Sequence, residues 1–250
     1  MSGRVFLIGL GPAGEAMMTA AARDALAQAG DLIGYGPYLA RVAEIPGQNR
    51  HPSDNRVERA RAEQALTLAA AGRTVAVVSG GDAGVFGMAA TLFEAIEAGE
   101  PALRALDVVV IPGITAMLAA SARLGAPLGH DFCALSLSDN LKPWALIEKR
   151  LRLAAEADFV IALYNPISRA RPWQLGAAFV ILRAILPPET PVAFARAIGR
   201  EDEGLALFSL ADADPAGADM ATLVIIGARA SRLIQRPEGR PWFYTPRFAP

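Results

Sequence analysis

The chain has 250 residues, enough for one large domain or two small ones, each with its own core. Its 24 basic and 25 acidic residues nearly cancel, so no general attraction to nucleic acid or anionic lipid is expected. The apolar runs are far shorter than the roughly 20 residues that span a bilayer, no signal-peptide pattern opens the chain, and a cytoplasmic location is the expectation.

Strand-like and helix-like runs alternate along the chain. Residues 4–10 read as a first strand, 15–28 as an alanine-rich helix and 31–34 as a short second strand. A polar loop is expected over 36–55, then a helix ending near Gly72, with Ser53 or Asp54 placed to cap it. Residues 74–79 read as a strand, 85–97 as a helix, 107–111 as a strand and 115–124 as a helix. The theme repeats with strands at 134–138, 158–164, 192–195, 205–210 and 222–227, and helices at 143–155 and 172–186. Continuous apolar strands alternating with helices predict an α/β fold with mainly parallel sheets covered on both faces. The stretch 124–130, punctuated by Gly and Pro, is the expected division. A tail with Trp242, Phe243 and Tyr244 is too irregular for a helix.

Chemistry-bearing residues are sparse. One cysteine, Cys133, and two histidines, His51 and His130, are too few for a protein-built zinc site, and Cys133 reads as a packed strand residue. Glycines are more informative. Gly9-Leu10-Gly11-Pro12-Ala13-Gly14 follows the first strand and has the literal G-x-G-x-x-G spacing. Pro12 removes a backbone donor from the turn, and the second strand ends in Gly34-Tyr35-Gly36-Pro37 rather than in an acidic residue, so a dinucleotide reading is disfavoured. Four glycines within residues 79–87 let a ligand approach the backbone, with the Asp82 carboxylate positioned for ribose hydroxyls or for a helix cap. Pro112-Gly113-Ile114-Thr115-Ala116 is a third break after a strand. Three such loops at the same end of neighbouring strands can floor one pocket.

The order GLGP, SGGDAGVFGM, PGITA, YNP and PVAFARA resembles the tetrapyrrole (class III) S-adenosylmethionine (SAM)-dependent methyltransferases. Gly34-Tyr35-Gly36-Pro37-Tyr38, Ser53-Asp54-Asn55-Arg56 and residues 124–132 continuing into Ser136-Leu137-Ser138-Asp139 are most similar to the ring-contracting members of cobalamin synthesis. The similarity runs from about residue 5 to residue 227, with Ala13 standing where the first loop of the family usually carries glycine. The resemblance implies two α/β domains, 1–124 and 125–250, with mainly parallel mixed sheets and a cofactor cleft between them, usually in a homodimer. It implies methylation of precorrin-3B at ring carbon 17, with ring contraction to precorrin-4 by loss of one bridging carbon from the macrocycle. Carried over by motif, the SAM contacts are Gly80, Gly81, Asp82, Val85, Phe86, Thr115 and Ala116, with Tyr164, Asn165, Ala195 and Thr222 from the second half, and Pro12 at the cofactor or substrate edge.

Methyl transfer from a sulfonium needs no covalent enzyme nucleophile, and in-line positioning can supply roughly 7–11 kcal/mol. A tetrapyrrole rich in carboxylates calls for cations: Arg50, Arg56, Lys142, Arg169, Arg171 and Arg196 lie in predicted loops or strand ends, with Arg169 and Arg171 the strongest pair. Ring contraction needs proton transfer, for which His51, His130, Asp54 and Asp139 are candidates. The rivals are a methyltransferase of the same fold acting at another precorrin position or on a protein side chain, an NAD(P)-dependent reductase, and a non-catalytic SAM or tetrapyrrole sensor.

Overall fold

The computed structural model describes residues 3–248. Its elements in chain order are β1 (Arg4–Gly9), α1 (Ala20–Gln28), β2 (Asp31–Tyr35), α2 (Gly36–Leu39), β3 (Asn49–Ser53), α3 (Glu58–Ala70), β4 (Thr74–Ser79), α4 (Met88–Ala98), β5 (Asp107–Ile111) and α5 (Ala116–Leu124). There follow β6 (Gly125–Ala126), β7 (Phe132–Ser136), α6 (Trp144–Glu156), β8 (Val160–Tyr164), α7 (Gln174–Arg183), β9 (Pro191–Arg196), β10 (Gly204–Ser209), β11 (Thr222–Ile226), β12 (Arg232–Ile234) and β13 (Trp242–Tyr244). Two compact units divide between Ala116 and Met117. The expected division after 124 lies at the end of α5, and residues 125–129 are not a bare linker. Gly125 and Ala126 form β6, which pairs with β13 of the tail.

In the first unit the strand order is β3-β2-β4-β1-β5, with every pairing parallel. Successive side chains of a strand point to opposite faces. Val5, Leu7, Val75 and Val77 accordingly pack with Ala62 and Leu66 of α3 and Leu92 of α4, whereas Phe6, Ile8, Ala76 and Val78 pack with Ala22 and Leu26 of α1. Both faces are covered, which is why these strands read as continuous apolar runs. β1 and β4 are neighbours, yet the helices that follow them, α1 and α4, lie on opposite faces of the sheet.

The second sheet, β10-β9-β11-β8-β7, is mixed. β7 and β8 are parallel and joined through α6, while β8–β11, β11–β9 and β9–β10 are antiparallel. The short β9–β10 link permits this, since only parallel neighbours need a long crossover. Ile161, Leu163, Val192, Phe194, Val224 and Ile226 pack against α6 and α7 through Leu151, Leu175 and Phe179. Cys133 lies in β7 against this core, and burial pushes its thiol up to about 11, as expected for an inert packed residue. The tail is ordered too. Phe243 is fully buried, and Thr245 Oγ1 donates to the Pro127 carbonyl at 2.7 Å and pairs with Ser231 Oγ at 2.7 Å.

Several local expectations are corrected. The helix expected over 15–28 is a 3-10 turn, Glu15–Met17, followed by α1, whose cap is Thr19 Oγ1 accepting from Ala22 N at 3.1 Å. The region read as polar loop contains α2 and the edge strand β3, whose residues Asn49-Arg50-His51-Pro52-Ser53 carry no apolar signal. Neither Ser53 nor Asp54 caps α3. Ser53 Oγ instead donates to the Gly34 carbonyl and accepts from Arg61 Nε, and the Asp54 carbonyl accepts from Arg61 Nη2.

His51 belongs to a polar cluster towards the amino end of β2. Asp31, 1% exposed, accepts hydrogen bonds from Arg73 Nε, His51 Nε2 at 2.9 Å and Asn49 Nδ2 at 3.3 Å. Burial pushes the Asp31 carboxyl up, but the hydrogen bonds from Arg73, His51 and Asn49, with the Arg73 charge, outweigh it and hold it below its ordinary value. A depressed carboxyl stabilises the fold above its unfolded-state pKa and loses that contribution as pH falls through the folded-state value. Asp31→Ala should therefore cost about 2–3 kcal/mol of stability near neutral pH. The difference from wild type in urea midpoint should shrink as pH falls below the ordinary value of 3.8. An unchanged midpoint near neutral pH would contradict this role.

Candidate active site

The loops that follow β1, β4 and β5 pack directly on one another. Gly11 N donates to Gly81 O and Gly81 N to Gly11 O, both at 2.9 Å, and Leu10 N donates to Ser79 O at 2.9 Å. Asp82 binds the third loop: Oδ1 accepts from Gly84 N at 2.7 Å and Oδ2 from Gly113 N at 2.9 Å. Thr19 Oγ1 also donates to the Pro112 carbonyl at 3.3 Å. No side chain fits between the three backbones. A Cβ on Gly113 would overlap Gly81 O and lie 2.6 Å from Gly9 O, and a Cβ on Gly9 would lie 2.6 Å from Gly113 N. This junction sits between β1 and β4, where the following helices diverge to opposite faces, the usual position of a ligand crevice in an open α/β sheet.

Among the nominated cofactor contacts of this unit, Gly80, Gly81, Asp82, Val85, Phe86 and Thr115 lie in the interlocked second and third loops, and Ala116 opens α5 directly after the third. Phe86 is 53% exposed and adopts φ 53°, a left-handed conformation that costs a non-glycine residue on the order of 1–3 kcal/mol. Pro12 is buried within the first loop. Two contributors went unrecognised in the sequence. Arg41 Nη2 donates to Gly11 O at 2.7 Å and also to the Ala13 carbonyl, clamping the first loop around Ala13. The Tyr38 ring lies against Gly80, where a Cβ would come within 2.7 Å of its Cζ. Tyr38 lies in the Gly-Tyr-Gly-Pro-Tyr motif, but Arg41 becomes legible only once α2 is known to turn the chain back onto the first loop.

In the second unit, strand direction and register gather Ser136, Tyr164, Arg196 and Thr222 at one end of the sheet. Asn165, at φ 51°, donates from Nδ2 to Ser136 Oγ at 2.9 Å, and Tyr164 Oη accepts from Met117 N at 3.1 Å. Ala195 is buried in β9. Thr222 Oγ1 donates to Asp219 Oδ1 at 2.8 Å and accepts from Asp219 N at 3.0 Å, so the hydroxyl is already committed to a local turn. Asp139 Oδ1 accepts from Gln174 Nε2 at 3.2 Å.

The nominated cations separate sharply. Arg50 is corrected to a structural role: its guanidinium donates to the carbonyls of Leu39, Val42 and Ala43. Arg196 is likewise occupied, by Asp219 at 2.7 Å and Asp202 at 2.8 Å. Arg56 and Arg169 are exposed, whereas Lys142 and Arg171 are partly buried. Of the proton-transfer candidates, His51 is tied to Asp31, and His130 precedes β7, where its Nδ1 accepts from Asp131 N at 2.7 Å. His51 thus lies within β3, bonded towards the amino end of β2, and His130 lies just before the amino end of β7. Asp54, exposed after β3, and Asp139, after β7, do lie at carboxyl ends.

The packing of the three loops makes Gly113→Ala a sharp test. The added methyl has no room, so a loss of about 1–3 kcal/mol in stability is expected, together with at least tenfold weaker SAM binding by calorimetry. Gly14→Ala, where a Cβ meets nothing within 4 Å, should change neither. Equal behaviour of the two variants would contradict the packing argument.

Residues 4–214 match the family described as Tetrapyrrole (Corrin/Porphyrin) Methylases. The chain is 57% identical over 249 residues to a precorrin-3B C(17)-methyltransferase from a Sinorhizobium species, covering 99% of this chain and 98% of that one. The crystal structure of the methyltransferase CobJ superposes with a TM-score of 0.93 at 51% identity, covering 98% of this chain and all of that one. A uroporphyrin-III C-methyltransferase from Thermus thermophilus, complexed with S-adenosylhomocysteine, shares the fold at 23% identity with a TM-score of 0.66, over 90% and 92% of the two chains. Interlocked glycine loops at a sheet switch point and similarity along nearly the whole chain lead to one assignment: this chain belongs to the tetrapyrrole (corrin/porphyrin) methylases.

Proposed function

We propose that this chain transfers the methyl group of SAM to carbon 17 of precorrin-3B, with contraction of the macrocycle, in cobalamin synthesis. The observation that carries the reading is the junction of glycine loops at the β1–β4 switch point, in a chain so similar throughout to a precorrin-3B C(17)-methyltransferase. The residues of the first unit suit the cofactor. The backbone at Gly81 is free of side-chain bulk, and each Asp82 oxygen accepts one backbone N–H and keeps a lone pair for a ribose hydroxyl. The half-exposed Phe86 ring offers an apolar face to an adenine.

Bound SAM supplies an electrophilic methyl on a positively charged sulfur. The protein's part is to hold the acceptor carbon in line with it and to exclude water. Tyr164, Asn165, Ala195 and Thr222 are the cofactor contacts that the family resemblance assigns to the second unit. Lys142, Arg169 and Arg171 receive substrate carboxylates, and Asp139, held by Gln174, carries protons during contraction. The homodimer implied by the family resemblance and the cytoplasmic location expected from the sequence belong to the same reading. Half-exposed Val110 on β5 and Phe93 on α4 offer apolar surface for a subunit contact.

The assay is direct: purified protein with SAM and precorrin-3B should release S-adenosylhomocysteine and yield a tetrapyrrole heavier by one methylene, methylated at carbon 17. Methylation at another ring position would favour a different precorrin methyltransferase. Binding of NAD(P)H without SAM binding would favour a reductase, and SAM binding without turnover a sensor.

A further inference from the structure

The same end of the second sheet carries positive charge that its own residues do not neutralise. Lys142-Pro143-Trp144 leads into α6, and Arg171-Pro172-Trp173 leads into α7, so one triplet of cation, proline and tryptophan opens both helices. The two indole rings meet edge to face, with centroids 4.7 Å apart, which brings the two helix entrances together. Neither helix has a side-chain cap, so the first-turn N–H groups leave the positive end of each helix dipole uncovered.

Arg171 is the informative member. Ser168 N donates to Arg171 O and Arg171 N to Ser168 O, both at 3.0 Å, closing a tight turn with Arg169 exposed on it. Arg171 turns inward: its Nε and Nη1 are buried and have no hydrogen-bond acceptor. Those two nitrogens carry three N–H bonds. Gln174, 1% exposed, has its Nε2 bound to Asp139 and its Oε1 unpartnered. Lys142 adds a second uncompensated cation, whose ammonium is pushed below its ordinary value by burial and by the neighbouring Arg150 charge. Among the described residues neither Lys142 nor Arg171 forms an ion pair. A partly buried guanidinium with two unpartnered nitrogens and no counter-charge is costly, and a ligand that brings the missing negative charge removes that cost.

We propose that the twin triplets form the receptor for one peripheral carboxylate of the macrocycle, with Arg171 its direct partner and Lys142 a second positive charge. This rests on the proposed function for the identity of the macrocycle alone. Arg169, exposed on the turn, is not part of the receptor. The third such triplet, Arg240-Pro241-Trp242, leads into strand β13 with Arg240 exposed, and serves as the control.

The test titrates the full chain with uroporphyrin III, a stable polycarboxylate porphyrin, by fluorescence, and measures SAM affinity and melting temperature in parallel. Arg171→Met should weaken porphyrin binding at least about tenfold, and Lys142→Met by about threefold at moderate salt. SAM affinity should be unchanged, and Arg240→Met should match wild type. Because Arg171→Met removes an uncompensated charge, its melting temperature without porphyrin should equal or exceed that of wild type. Unchanged porphyrin affinity in Arg171→Met would overturn the receptor, as would a melting temperature that falls together with affinity, which marks a structural residue. If Arg171→Met does not fold, Arg171→Lys decides in its place: it should keep the fold and lose part of the affinity, and full affinity would refute the assignment. Failure of wild type to bind SAM, with the porphyrin pattern intact, would sink the methyltransferase reading and leave the receptor standing.

Discussion

Two backbone hydrogen bonds between Gly11 and Gly81 join the carboxyl ends of β1 and β4, just where the chain leaves the sheet towards opposite faces. Divergence of α1 and α4 opens a crevice, and the Gly–Gly contact closes its floor with main chain alone. Asp82 extends the floor by drawing in Gly113 from the loop after β5. The result is a surface of backbone donors and acceptors without side-chain bulk, suited to a flat nucleoside-like ligand held at close range. Tyr38 of α2 and Arg41, just after it, brace the first two loops.

The two ends of the first sheet are built from different physics. Towards the amino end of β2, charges are paired off, with Asp31 gathering Arg73, His51 and Asn49. At the carboxyl ends the chain instead stores strain. Among the described residues, Arg56, Phe86, Asn165 and Ala197 are non-glycine residues in the left-handed region that follow the carboxyl end of a strand in one or the other unit, whereas Asp158 precedes the amino end of β8. Strained backbone persists where surrounding structure over-determines it, commonly where a ligand must be met in a set geometry. The uncompensated Arg171 follows the same logic in electrostatic form, since stability is forgone where a ligand supplies the missing partner.

The sequence made the architecture legible wherever burial on both faces produced continuous apolar runs, as in β1, β4, β8, β9 and β11. It hid β3, because an edge strand reading Asn-Arg-His-Pro-Ser gains its structure from hydrogen bonds to β2 rather than from burial. Strand direction in the second sheet was equally invisible. Buried parallel and buried antiparallel strands have the same composition, and only the length of the connections separates them. At the site, glycine spacing after strands located the loops, since close backbone approach leaves a trace in residue type. The roles of charged residues left no such trace. Arg50, Arg171 and Arg196 look alike in the chain, yet one clamps carbonyls, one lies buried without an acceptor, and one is held by two aspartates. His51 and His130 invited a catalytic reading by residue type alone, and the chain did not reveal that one bonds Asp31 and the other precedes β7.

The central claim is that the loops after β1, β4 and β5 act as one binding surface. Amide hydrogen–deuterium exchange, measured with and without saturating S-adenosylhomocysteine, tests it most directly. The account predicts that residues 9–14, 79–87 and 112–116 slow together, while the Asp31 cluster at the other end of the sheet keeps its rate. Protection confined to one of those loops, or found only near Asp31, would contradict it.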